Sequence, residues 1–266
     1  MRLVEVDRRG DGVVPTGRES PAYGGVWDKW LCRYTGEAPA SCVRLSVSPR
    51  QFSILTKAAR CAVHHVLLIG ARRSSKSETM AIWLLIRALL LPGKPISMLF
   101  PKHNKAVEFV EEKLLPRAKG LVEVYHRSPG KYDVRLVVGS VIRFLSGKVV
   151  DDARGSGVAS GGCDEKQITP TEAWDNVLLS LSEGGKWFQT FETGTALMGD
   201  FEDYVERAKA HADFLVEHLT SFDNPFIDRK FLADAKNLLD PRRYAPQRLA
   251  EFVPQSSTVY YPFERS

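Results

Sequence analysis

Cysteine is scarce in this chain: there are four in 266 residues, Cys32, Cys42, Cys61 and Cys163, and no two form a C-x-x-C pair. Histidine pairs at zinc-ligand spacing are missing as well, which removes the sequence basis for a structural metal and leaves a reduced, cytoplasmic chain as the expectation. His64-His65 stand together without ligand partners nearby and read as structural. The first nine residues are charged and lack an apolar h-region, so no signal peptide is expected. Long hydrophobic runs are also lacking. The longest, about Ile82 to Leu91, contains Arg87 and is too short to span a bilayer. A strong charge imbalance is absent too: the net charge of +5 leans towards a polyanionic partner without requiring one.

What is present is ordinary for a soluble globular protein, with 44% hydrophobic and 26% charged residues. The length allows one large domain, or one domain with a small appendage. The informative stretch is Val66 to Thr79. Its apolar start reads as a buried parallel strand ending at Gly70, and Met80 to Leu91 reads as a helix. Between them, Gly70-Ala71-Arg72-Arg73-Ser74-Ser75-Lys76-Ser77 fits the phosphate-loop pattern except that Ser75 replaces its second glycine. In such a loop, backbone N–H groups and the helix N-terminus face the phosphates, Lys76 reaches the same oxygens, and the Ser77 hydroxyl ligates Mg²⁺. Ser75 implies either a less compact loop or a negative φ at that position.

Residues 1–45, rich in Gly, Arg and Pro with Trp27, Trp30 and Tyr34, read as an irregular extension whose aromatics pack on the main domain. Ser48-Pro49 opens a helix carrying Gln51, whose amide could read an adenine edge or simply face solvent. Ile96–Phe100 is a second strand, followed by an amphipathic helix to Leu115. Residues 134–138 and 141–145 form a hairpin about Gly139-Ser140. Asp164-Glu165 suits a second nucleotide motif, Asp164 in the Mg²⁺ shell and Glu165 polarising water. The segment before it, broken by Ser160-Gly161-Gly162, is a poor strand by composition, and a solvated acidic turn is the better reading of that stretch alone. Further on, a helix is read over 170–181, a strand over 187–191 ending at Glu192-Thr193-Gly194-Thr195, a helix over 201–208 and a strand over 214–219. Short helices follow the Asn224-Pro225 break. Strands alternating with helices about a phosphate loop predict an α/β fold with a largely parallel sheet and the hairpin at one margin.

The ordered set Pro49-Arg-Gln51, Gly70 to Ser77, Phe100-Pro101, Gly139-Ser140, Asp152-x-Arg154-Gly155, Asp164-Glu165, Trp174, Gly184-Gly185, Thr193-Gly194-Thr195 and Asp223-Asn224-Pro225 resembles the ATPase half of tailed-bacteriophage large terminase subunits. The likeness runs over residues 46 to 262. It implies a P-loop NTPase fold with flanking helices and a small C-terminal helical lid subdomain. The division would be an extension (1–45), an ATPase core (46–222) and a lid with linker (223–266). It also implies ATP and Mg²⁺ as ligands and a function in ATP-driven translocation of double-stranded DNA into a procapsid, within the host cytoplasm. Partners would be duplex DNA, a portal protein and a small terminase subunit, with a homo-oligomeric ring forming on the procapsid from a chain otherwise monomeric. Site residues carried over are Gln51 at adenine; Gly70, Arg72, Arg73, Ser74, Ser75, Lys76, Ser77 and Glu78 at nucleotide; Ser77 and Asp164 at metal; and Thr193, Gly194 and Thr195 as coupling motif. The catalytic set is Glu165, Lys76 and an arginine, either Arg154 from a neighbouring subunit or Arg73 in cis. Lys166, directly after Glu165, is expected to lower the pKa of that carboxylate. No carboxylate cluster of a nuclease half follows Phe263, so DNA cleavage is not expected. A helicase-like or recombination ATPase, or a binding module without hydrolysis, are the alternatives.

Overall fold

An uncharged strand such as Val66-Leu-Leu-Ile69 is stable when both faces are covered, and here it lies inside an eight-stranded sheet with helices on either side. The structure, a computed structural model, describes residues 4–7, 43–60, 63–128, 131–146, 157–197 and 199–253. Strands β1 (Val4–Asp7) and β2 (Val43–Ser46) pair in parallel as a separate two-stranded sheet, where the sequence suggested irregular chain. Trp27, Trp30, Tyr34 and Arg154 lie outside the described residues.

The main sheet contains β3 (His65–Gly70), β4 (Pro95–Phe100), β5 (Val122–Ser128), β6 (Lys131–Leu136), β7 (Val141–Ser146), β8 (Ser160–Cys163), β9 (Gln189–Gly194) and β10 (Phe214–Leu219). Their order is β10-β3-β9-β8-β4-β7-β6-β5. All neighbours run parallel except in the β5–β6–β7 meander, which extends the expected hairpin by one strand and closes one margin. Helices α1 (Pro49–Arg60), α2 (Lys76–Leu90) and α3 (His103–Phe109) cover one face, packing Ile54, Leu84 and Phe109 against Val66, Leu68 and Met98. Helix α3 continues through a π-helical turn (Val110–Leu114) into the short α4 (Leu115–Arg117). Helices α5 (Thr171–Leu179) and α6 (Asp200–Ala210) cover the other face, α6 meeting Leu67 and Ile69. Helices α7 (Arg229–Leu238) and α8 (Pro241–Tyr244) with a final π-helical turn (Ala245–Leu249) form the C-terminal helical part.

The acidic-turn reading of residues 160–165 is corrected here. Ser160–Cys163 is a fully buried central strand. It lacks large side chains because its neighbours already occupy the space. A Cβ on Gly161 would come 2.9 Å from Val177 Cγ1, and one on Gly162 would overlap Met98 Sδ. Ser160 accepts a 3.0 Å bond from the buried Arg87 guanidinium, whose pKa burial lowers to about 10. Small residues here mark close packing of α5 and β4 onto the strand, a signal that hydrophobic periodicity misses.

Candidate nucleotide site

The loop leaves β3 at Gly70, where a side chain would strike Lys76 Cβ at 2.8 Å, so the chain folds back over its own strand end only with glycine there. The turn is fixed from outside: Ala71 N donates to Leu219 O, Arg72 N to Gln247 O, Ser221 Oγ to Arg72 O and Asn224 Nδ2 to Arg73 O. Ser75 adopts φ 72°, ψ 25°, and Arg73 has φ 60°. The expectation of a negative φ at Ser75 is therefore wrong. The loop keeps the left-handed geometry of the glycine it lacks, at a steric cost on the order of 1–2 kcal/mol. Ser75→Gly is expected to raise stability by about 0.5–1 kcal/mol, after the extra chain entropy of glycine is deducted. A calorimetric melt should then move up by a few degrees at most. A melt unchanged or lowered would show that the loop relaxes without strain.

Gln51 does not present a free amide. Its Oε1 accepts from Ser48 N at 2.8 Å while Ser48 Oγ accepts from Gln51 N, a reciprocal cap at the start of α1. Its Nε2 donates to Thr79 Oγ1 (3.1 Å) and Ser75 O (3.4 Å). The residue is 6% exposed and braces the left-handed Ser75. Spacing alone placed it near the loop but could not say what its amide would bind.

The sheet order explains how the other half of the site is assembled. One strand, β9, separates β3 from β8, so the loop and the acidic pair face each other across the end of β9. Lys76 Nζ lies 2.6 Å from Glu165 Oε1 and donates to Thr195 Oγ1 at 2.7 Å. Gln167 Nε2 and Thr195 Oγ1 donate to Glu165 Oε2, and Gln167 Oε1 accepts from Thr195 N. Asp164 Oδ1 accepts from the Thr193 hydroxyl. Gly194 is needed because a Cβ would overlap the Phe201 ring. Burial pushes the Asp164 carboxyl up, and the adjacent Glu165 adds to the rise. Burial also acts to raise Glu165, but the Lys76 charge and the hydrogen bonds from Lys76, Gln167 and Thr195 outweigh it and hold that carboxyl below its ordinary value.

Lys166, Glu78 and Arg73 each have protein partners of their own. Glu165 has φ 51°, and the 3₁₀ turn that follows (Lys166–Ile168) carries Lys166 to the rings of Trp174 and Tyr204. The cation that lowers Glu165 is Lys76, not Lys166 as expected. Glu78, expected at nucleotide, is engaged by Lys113 at 3.2 Å and by Arg117 on the helix beyond α3. Arg73 and Arg248 both lie over the Phe231 ring of α7, at 5.9 and 5.2 Å from its centre, so the loop arginine faces the C-terminal helices. Arg72 is exposed, Ser77 half-buried, and Ser74 Oγ is buried without a hydrogen-bond partner. Gln167 was not foreseen, and only its proximity to Glu165 in sequence could have drawn attention to it.

A parallel sheet with a glycine-started loop capping one strand and an acidic pair ending another defines the class, an α/β fold of the P-loop NTPase type. No protein-family model and no curated protein matches the sequence. Among solved structures, the chain is similar to large terminase ATPase domains. With the large terminase of a thermophilic bacteriophage it shares 16% identity at TM-score 0.67, over 77% of this chain and 53% of that one. With the Thermus phage P74-26 large terminase ATPase domain it shares 19% identity at TM-score 0.60, over 79% and 95%. A structure of the first of these terminases in complex with ATP-gamma-S gives 15% identity and TM-score 0.63, over 77% and 53%. The chain thus spans about half the length of that thermophilic phage protein.

Proposed function

We propose that this chain is the ATP-hydrolysing motor domain of a viral DNA-packaging terminase, which couples hydrolysis to translocation of double-stranded DNA into a procapsid. The observation that carries this reading is the convergence of Lys76, Glu165 and Thr195 over the end of β9, on a fold shared with terminase ATPase domains. Residues 46–222 serve as the ATPase core, 223–266 as lid and linker, and 1–45 as an extension.

The residues suit a phosphate-bearing ligand. Lys76 heads α2 at the close turn that Gly70 permits, and beside it the buried Ser74 hydroxyl lacks a protein partner. Ser77 and Asp164 offer the hard oxygen donors that Mg²⁺ prefers, and a bound Mg²⁺ would offset charge on the β- and γ-phosphates. Among the described residues no cluster of three His, Cys, Asp or Glu is arranged to hold a metal. Lys76 binds the β/γ oxygens, and Glu165, held ionised, orients water and accepts its proton. Thr193 to Thr195 join both groups to β9 and so couple them to α6. Arg154, brought by a neighbouring subunit, offsets charge in the transition state; Arg73 is the rival in cis. Portal protein and small terminase subunit are the proposed partners, in a ring on the procapsid inside the host cell.

Phosphate release measured against protein concentration, with duplex or single-stranded DNA, tests the whole reading. Duplex should stimulate more than single strands, and turnover per subunit should rise with concentration as rings form. Stimulation by single strands alone would favour a helicase-like ATPase, and no hydrolysis at all would favour a binding module. A flat concentration dependence would assign the arginine role to Arg73.

A further inference from the structure

On the flank of the acidic turn away from the phosphate loop, an open cleft of about 650 Å³ lies between the Lys166–Ile168 turn, α5 and α6. Lys166 lines it and is only 8% exposed, yet among the described residues no oxygen accepts a hydrogen bond from its ammonium. The nearest groups are ring faces, Tyr204 at 5.3 Å and Trp174 at 5.8 Å. Trp174, 1% exposed and also part of the lining, has an indole N–H without an acceptor. The carboxylate closest in effect, Glu192, receives the single Tyr204 O–H, which lies 2.9 and 2.8 Å from its two oxygens. Burial moreover pushes Glu192 up to about 7, so it is a poor counter-charge near neutral pH.

Lys166 is mostly buried and its ammonium finds no protein acceptor among the described residues, which leaves that group to the cleft, and a buried indole N–H without an acceptor is costly. The nucleotide chemistry uses neither. The cleft has the volume of a small-molecule site and the same design, aromatic walls (Trp174, Tyr204, Phe201) around few polar groups. The lining charges balance, Asp175 and Asp200 against Arg207 and Lys166, but the first three are exposed at the rim and only Lys166 is buried inside. We propose that this cleft binds a small organic anion: an oxyanion head, carboxylate or phosphate, for Lys166, on an apolar body that lies against the half-buried Tyr204 and Leu178. Gln167 lines the same cleft while its amide bridges Glu165 and Thr195, so occupancy shifts the turn that sets the catalytic carboxylate. That last link rests on the hydrolysis reading; the binding does not.

Calorimetric titration of the whole chain with 1-naphthoate, 1-naphthyl phosphate and the neutral 1-naphthylmethanol tests it. At least one anion should bind 1:1 with a dissociation constant on the order of 1 mM or tighter, as expected for a ligand of this size, and whichever binds more tightly identifies the head group. The neutral compound should bind ~10-fold more weakly, and Lys166→Met should erase that preference while ATP binding persists. Leu178→Trp, which narrows the cleft without touching Lys166, should weaken all three, and it decides the matter if Lys166→Met does not fold. Equal binding of anion and neutral compound, equal binding to Lys166→Met, or no binding to the wild type would overturn the proposal. Absence of ATP turnover with anion binding intact would sink the function reading alone.

Discussion

On the proposed function, glutamine in place of Glu165 is expected to lower ATP turnover by about 10³-fold and to leave ATP bound more tightly than before. The loss follows from removing the base that orients and deprotonates water, a contribution typically of about 10² to 10⁴. The tighter binding follows from geometry. Glu165 Oε1 sits 2.6 Å from Lys76 Nζ, so phosphate oxygens would have to share that ammonium with it. Glutamine keeps the shape and one acceptor oxygen for Lys76, removes the charge, and turns its NH₂ towards Gln167 and Thr195. A partly exposed ion pair is worth up to about 1 kcal/mol, so affinity should rise roughly five-fold. Single-turnover phosphate release and equilibrium binding of a fluorescent ATP analogue measure the two effects separately. Unchanged turnover would remove Glu165 from the chemistry; weaker ATP binding would mean that the pair supports the loop instead of competing with phosphate.

Alanine at position 76 should damage both quantities. Lys76 is the charge nearest the expected phosphoryl group, and the loss of one such donor costs about 10² to 10³ in rate. A second loss adds to it. With the ammonium gone, burial acts on Glu165 unopposed by its main counter-charge, and the carboxyl moves up towards protonation. The base then fails at the low end of the pH range first, so the residual rate of Lys76→Ala should climb between about pH 5 and 8 more steeply than that of the wild type. Folding can be followed by the melt of the same sample. Wild-type turnover in Lys76→Ala would exclude this loop from hydrolysis, and a parallel pH profile would exclude the coupling to Glu165.

Gly70 was readable because the backbone path there demands glycine, Lys76 because it completes the motif spacing, and the apolar runs of β3 and β4 announced buried strands. Other parts were hidden for physical reasons. Strand β8 carries almost no side chains, since Met98 and Val177 fill the space they would need. Lys166 looked like a neighbour of the Glu165 carboxylate because sequence adjacency suggests spatial adjacency; the left-handed Glu165 sends the two side chains apart. Gln51 was legible as a residue near the loop and illegible as a brace, because its partner Thr79 becomes a neighbour only after α1 and α2 pack. Glu78 was drawn into the motif by position, and its two cationic partners come from a helix some thirty residues later.

The position of β3 also governs how the molecule is made. Both of its ladder partners, β9 and β10, come from residues 189–219, more than a hundred positions downstream. During synthesis the most apolar strand of the chain therefore waits with both edges open until nearly the whole core has emerged. Helix α2 and the β4–β7 strands can form by then, but the loop has neither the Leu219 nor the Gln247 carbonyl that fixes it. The geometry of the loop is thus a late property of the nascent chain, and a polypeptide halted before residue 189 exposes an adhesive strand instead of a partial site.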